Sequence, residues 1–146
     1  MGRYSLLALS IAGLLAVAFW WGGRGTEFTA SETTAKSLGR AAMVNVALPK
    51  ALSENAQIGK VAFEAKCAVC HGVNAVGQDG VAPPLVHKIY EPSHHGDGSF
   101  LVAVRNGVRA HHWRFGNMPP VDGLTEGDVK MIVAYIRELQ RANGIN

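Results

Sequence analysis

The sequence has no third cysteine. Its two, Cys67 and Cys70, stand three positions apart, so no disulfide between distant segments is available. A zinc site built on them would still need two more ligands at partner spacing. A charge imbalance is also missing. With Arg3 and Arg24 set aside, 12 basic residues face 11 acidic ones, and no basic face interleaved with aromatics is visible, which argues against nucleic-acid binding. No internal repeat occurs and no strand pair stands out, so the βαβ setting of a thioredoxin-like Cys-x-x-Cys pair is absent. At 146 residues the chain has room for one domain and an appendage.

What is present is concentrated in Cys67-Ala68-Val69-Cys70-His71. Two thiols separated by two residues and followed at once by a histidine form the attachment signature of a c-type haem. Each thiol can add across one porphyrin vinyl group to give a thioether. A separation of three positions puts both sulfurs on one side of a helical turn. The adjacent His71 can then donate an imidazole nitrogen to the iron.

The N-terminus carries the second signal. An uncharged run from Tyr4 to Trp21 lies between Arg3 and Arg24. Ala16-Val17-Ala18 after a short apolar stretch is the pattern of a cleaved secretory signal. As one uncleaved helix the run would span about 27 Å, close to a bilayer's hydrocarbon core, with Phe19, Trp20 and Trp21 suited to the interface. The anchor is the preferred reading, and both export the remainder of the chain.

The sequence therefore divides into 1–21, signal peptide or membrane anchor; 22–52, a flexible tether of small and polar residues; and 53–146, the haem domain. Within the tether, residues 41–48 are more apolar and suit the surface of the domain. The first helix is expected to begin near Ser53, with Glu54 in its first turn, an apolar stripe of Ile58, Val61, Ala62 and Ala65, and Phe63 on the flank. Gly77, Gly80, Pro83 and Pro84 punctuate a loop from 72 to 91. A short helix over 99–106 follows, capped by Asp97 or Ser99 and ended by Gly107. The last helix opens on Thr125 and Asp128 as a capping box, carries Val129, Ile132, Val133, Ile136 and Leu139 as its stripe, and ends at Asn143-Gly144. The fold class is all-α, three to four helices around one covalent haem, the porphyrin supplying core that about 90 residues cannot supply alone.

From roughly Ala56 to Leu139 the chain resembles a small single-haem cytochrome c of the soluble class. In that family a glycine and an aromatic precede the haem motif, matched by Gly59 and Phe63. The last helix crosses the first, which implies Tyr135 over Gly59 and Ile132 against Phe63. The resemblance implies that the Pro83 carbonyl receives a hydrogen bond from His71 and that Leu85 lies at the haem edge. It also implies a methionine in the loop before the last helix as sixth ligand, and Asn117-Met118-Pro119-Pro120 supplies it. A neutral thioether favours Fe(II). Haem c, one per chain, with His71 and Met118 as axial ligands, is the implied cofactor, with Trp113 or Phe115 covering a haem face and Arg114 near a propionate.

His94-His95 and His111-His112 depart from the commonest family pattern. They are open to three readings: surface or hydrogen-bonded histidines, a replacement for Met118 on the iron, or an accessory copper or zinc site. The implied function is single-electron transfer rather than catalysis. The expected partners are redox proteins, membrane respiratory or dehydrogenase complexes, with no nucleic acid and no small-molecule substrate. The expected location is the periplasmic side of the bacterial inner membrane. The alternative is a haem-based sensor or small enzyme with a labile sixth ligand.

Overall fold

The computed structural model describes residues 41–146; the apolar segment 1–21 and the tether as far as residue 40 lie outside the described residues. Four helices follow in order: α1 (Glu54–Lys66), α2 (Ala68–His71), α3 (Asp97–Asn106) and α4 (Glu126–Ala142). Single 3-10 turns occur at Val73–Ala75 and Lys88–Tyr90. Among the described residues there is no strand, only isolated antiparallel bridges of Gln78 with Ala82 and Val108 with Met118. None of the described helices is long and apolar enough to cross a membrane.

The α1–α4 crossing organises the core. Ser53 caps α1 by accepting from the Ala56 N–H, and its hydroxyl donates to Glu138 of α4 at 2.6 Å, so the start of one helix is tied to the end of the other. The face α1 buries is Ala56, Gly59 and Phe63. The expected stripe was misplaced: Ile58 and Val61 are 52% and 68% exposed and Ala65 is exposed, while Phe63 is central. The small residues at 56 and 59 admit the partner helix, and apolar size was a poor guide to the inward face. A Cβ built on Gly59 would lie 1.8 Å from the Met131 carbonyl oxygen, so the two backbones approach as only glycine permits. Gly59 meets the backbone of Met131 and Ile132, and Tyr135 packs on Phe63 with ring centroids 5.6 Å apart and planes tilted by 59°. The Tyr135 hydroxyl donates to Asn74 at 3.0 Å. Burial, and secondarily the Glu64 charge, push its phenol up to about 12.

Helix α4 opens on the Thr125–Asp128 capping box and buries Val129, Ile132, Val133, Ile136 and Leu139. It also buries Arg137 and Gln140, which no apolar periodicity could announce. The Arg137 guanidinium donates to Asp97 Oδ1 at 2.8 Å, to the carbonyls of Tyr90 and His95 at 2.7 and 2.6 Å, and to Gln140 Oε1 at 2.6 Å. It lies 5.1 Å from the centre of the Phe100 ring. Gln140 Nε2 donates to the carbonyls of Leu85 and Tyr90. Two polar side chains on α4 thus hold a loop that has little regular structure of its own.

Helix α3 starts at Asp97, two residues before the expected position, with Gly96 as its cap residue and no side-chain cap. Asp97 is occupied by Arg137, and the Ser99 hydroxyl donates back to the Gly96 carbonyl. No residue of α3 is fully buried; Phe100, Leu101 and Val104 are half-buried. Residues 41–52, assigned to the tether from composition, run along the domain. The amides of Met43 and Val44 donate to Val76, the Asn143 side chain bonds both the N–H and the carbonyl of Ala47, and Val46 and Leu52 pack against the core.

The crossing yields a stability prediction. Gly59→Ala should cost about 3 kcal/mol, because the Met131 carbonyl cannot yield without moving α4. Gly98→Ala at the start of α3, where nothing lies within 4 Å, should be neutral or stabilising by about 0.5 kcal/mol. Denaturant unfolding of the haem-loaded protein, followed by circular dichroism, checks both.

Candidate functional site

Cys67 ends α1 and begins α2. Its N–H donates to Phe63, and its carbonyl accepts from Cys70 at 3.1 Å and from His71 at 2.9 Å. This single turn sets the two thiols and the imidazole, and Gly72 closes it at φ 74°, where a Cβ would strike Val76 at 2.8 Å. Gln78 secures the turn from behind, donating to the carbonyls of Ala68 and Val69 at 3.2 and 2.9 Å. Sequence reasoning missed Gln78, which carries no mark beyond its place between Gly77 and Gly80. Beyond the turn, Asn74 and Ala75 both have positive φ, an unusual backbone for a fully buried alanine. The Ala75 carbonyl accepts from Leu85 and so draws the proline loop back to the motif.

Both thiols are free, Cys70 exposed and Cys67 half-buried. Burial, and then the charge of Cys70, push the Cys67 thiol up to about 11. At neutral pH the Cys67 sulfur is therefore a thiol rather than a thiolate.

His71 is 8% exposed, and Nδ1 lies 2.9 Å from the Pro83 carbonyl oxygen. A carbonyl can only accept, so Nδ1 carries the proton and Nε2 is left with its lone pair. Burial lowers the pKa of the ring, with the Pro83 bond acting against it, so the imidazole is neutral and fit to ligate. Leu85 is buried next to Pro84.

Met118 sits in the loop after α3 with its backbone locked, exchanging both hydrogen bonds with Val108 at 2.9 and 3.0 Å. Gly107 faces this pair at φ 74°, its absent Cβ 2.5 Å from the Met118 carbonyl oxygen. The side chain of Met118 is half-buried. In the same loop Trp113 stacks on Phe115 at 5.7 Å and meets His87 edge-on at 5.2 Å. The buried Trp113 Nε1 has no hydrogen-bond partner among the described residues. Burial raises the Tyr90 phenol above its ordinary range.

The two histidine pairs do not diverge. His94 Nε2 and His112 Nε2 are 3.4 Å apart, and the His95 ring lies 4.7 and 5.2 Å from theirs. The His111 ring is 4.2 Å from His112. Desolvation and then the charges of His111, His95 and His94 hold His112 below the ordinary histidine range.

These residues fit a covalently held haem. A thiol pair one turn apart is followed by a buried neutral imidazole with Nε2 free. The indole N–H lacks an acceptor of the kind a propionate offers, and the half-buried apolar face of α3 calls for further apolar surface. The site is thus that of a c-type haem protein. A family model for cytochrome c matches residues 56–140, and the chain belongs to the cytochrome c family. No curated protein and no solved structure matches the chain.

Attachment has a direct check. In protein matured by a host with haem-lyase machinery, mass spectrometry should find one haem adduct, on the peptide containing Cys67 and Cys70, and acid–acetone should not extract it. Extractable haem would show that the thiols are not used.

Proposed function

We propose that this protein is a single-electron carrier in which one haem, ligated by His71 and Met118, cycles between Fe(II) and Fe(III). The cytochrome c family places it among haem-based electron carriers. The observation that carries the finer reading is the pairing of the buried His71, oriented by Pro83, with a Met118 loop pinned through Val108 and Gly107. Bound haem supplies an iron that exchanges one electron without binding substrate. His71 donates Nε2 while its Nδ1–H is held by Pro83, which fixes the ring and raises its basicity. Met118 would offer a soft, neutral sulfur that favours Fe(II), and its backbone pairing with Val108 fixes the loop that carries it. With His71 and Met118 both holding the iron, no site would be left for oxygen or peroxide.

The partners in this reading are redox proteins of respiratory or dehydrogenase complexes, met through small transient interfaces. The apolar segment 1–21 supports retention at the outer face of a bacterial inner membrane, which raises the effective concentration at such partners.

Two measurements test this. Met118→Ala should lower the reduction potential and let the reduced protein bind carbon monoxide, because the sulfur that favours Fe(II) is gone. An unchanged potential and no carbon monoxide binding would remove Met118 from the iron and revive the sensor or enzyme reading. Fractionation of expressing cells should recover the protein with membranes and with its N-terminus intact. A mature protein beginning at Phe19 would instead define a soluble periplasmic carrier.

A further inference from the structure

Four of the six histidines gather in one place, and His71 of the Cys-x-x-Cys-His turn is not among them. They come from two segments, His94-His95 before α3 and His111-His112 after it. The donor atoms of His94, His95 and His112 all lie within 4.8 Å of one another. Four imidazoles that served only as solvated surface groups would have no need to converge from two separate segments. Here they are neighbours, and no hydrogen bond to a carboxylate holds any of them.

The geometry points to a second metal site in this protein, in which His94, His95 and His112 bind a borderline divalent cation of the zinc and copper class. Two ligands of a tetrahedral zinc centre, each about 2.05 Å from the metal, stand about 3.3 Å apart. His94 Nε2 and His112 Nε2 stand 3.4 Å apart. Imidazole nitrogen suits zinc, copper and nickel, and among these copper binds most tightly to a given donor set.

The nitrogens not needed for the metal are already engaged. Nδ1 of His95 lies 2.6 Å from the Ile89 carbonyl, so it carries the proton and leaves Nε2 to ligate. The His111 Nδ1 is spent in the same way on the Arg109 carbonyl at 2.8 Å. His111, whose ring neighbours His112 and His95 but which stands outside the close trio, keeps Nε2 free next to the site.

Both arms are braced from behind. The Glu91 carbonyl accepts from the amides of His94 and His95 at 3.0 and 2.8 Å, and the buried Arg137 grips the His95 carbonyl at 2.6 Å. The Tyr90 ring packs against His95 at 5.2 Å. Opposite, the Ala110 amide donates to Asn117 at 2.9 Å, closing the loop that carries His111 and His112 just before the Val108–Met118 pair. Little rearrangement is needed for the rings to converge, which keeps the ordering cost of binding low. A bound cation would join the segment before α3 to the loop that carries Met118.

The test uses the mature haem protein without an affinity tag, in the oxidised state, titrated with Zn(II) by calorimetry in a weakly coordinating buffer. Zinc is the probe because it exchanges no electron with haem. One Zn(II) per chain is expected. His94→Ala, His95→Ala and His112→Ala should each weaken binding by at least about tenfold, and the His94→Ala/His112→Ala pair should abolish it. His111→Ala should weaken it less, and His87→Ala should leave it unchanged. Because His94 and His112 are exposed, their variants should mature normally, and an unchanged haem absorption spectrum verifies that. Absence of stoichiometric zinc binding, retention of affinity in the double variant, or an equal loss in His87→Ala would overturn the site. A haem spectrum altered by one of these histidine variants alone would also overturn it, by assigning that histidine to the iron.

Discussion

The close approach of Gly59 to the Met131 carbonyl is the constraint on which the remainder of the structure depends. It fixes how α1 lies across α4, and α1 runs directly into Cys67. The direction in which the thiols and His71 are presented is therefore set by a backbone contact two turns earlier. The same crossing brings Phe63 to Tyr135, and the Tyr135 hydroxyl reaches Asn74, just beyond the motif. One helix pair thus grips the haem-binding turn from both sides. The aromatic contact supplies apolar burial, and the hydrogen bond holds an asparagine that sits at positive φ.

Helix α4 has a second task, performed by polar atoms. Arg137 and Gln140 are buried not because they resemble core residues but because five hydrogen bonds and an ion pair to Asp97 accompany them inward. Asp97 itself is 70% exposed at its side chain, so the pair draws most of its worth from the carbonyls it satisfies rather than from charge attraction. The segment from Leu85 to His95 contains only one short 3-10 turn, and these bonds give it a defined path.

What could be read from the sequence follows from where information is local. The capping box at Thr125, the stripe on α4 and the Cys-x-x-Cys-His turn are each specified by residues within one or two turns, and the structure has them there. The face of α1 was misjudged because Ile58 and Val61 outrank Ala56 and Gly59 on any hydropathy scale, while shape decided the contact. The buried roles of Arg137, Gln140 and Gln78 depend on carbonyls far away in sequence, so no local pattern could carry them. The convergence of the histidine pairs is of this kind too, since His111 comes 16 positions after His95. The start of the ordered domain before residue 53 rests on Asn143, which reaches back to Ala47 from the far end of the chain.

Helix α3 has a consequence for the life of the molecule. It has no fully buried residue of its own, only Phe100 packed against the core and Asp97 held by Arg137. Attachment of the pigment would add apolar surface where the fold has least, so the group would serve as core as well as redox centre. Local opening of a chain without it would be expected to start in α3 and to leave the α1–α4 crossing for last.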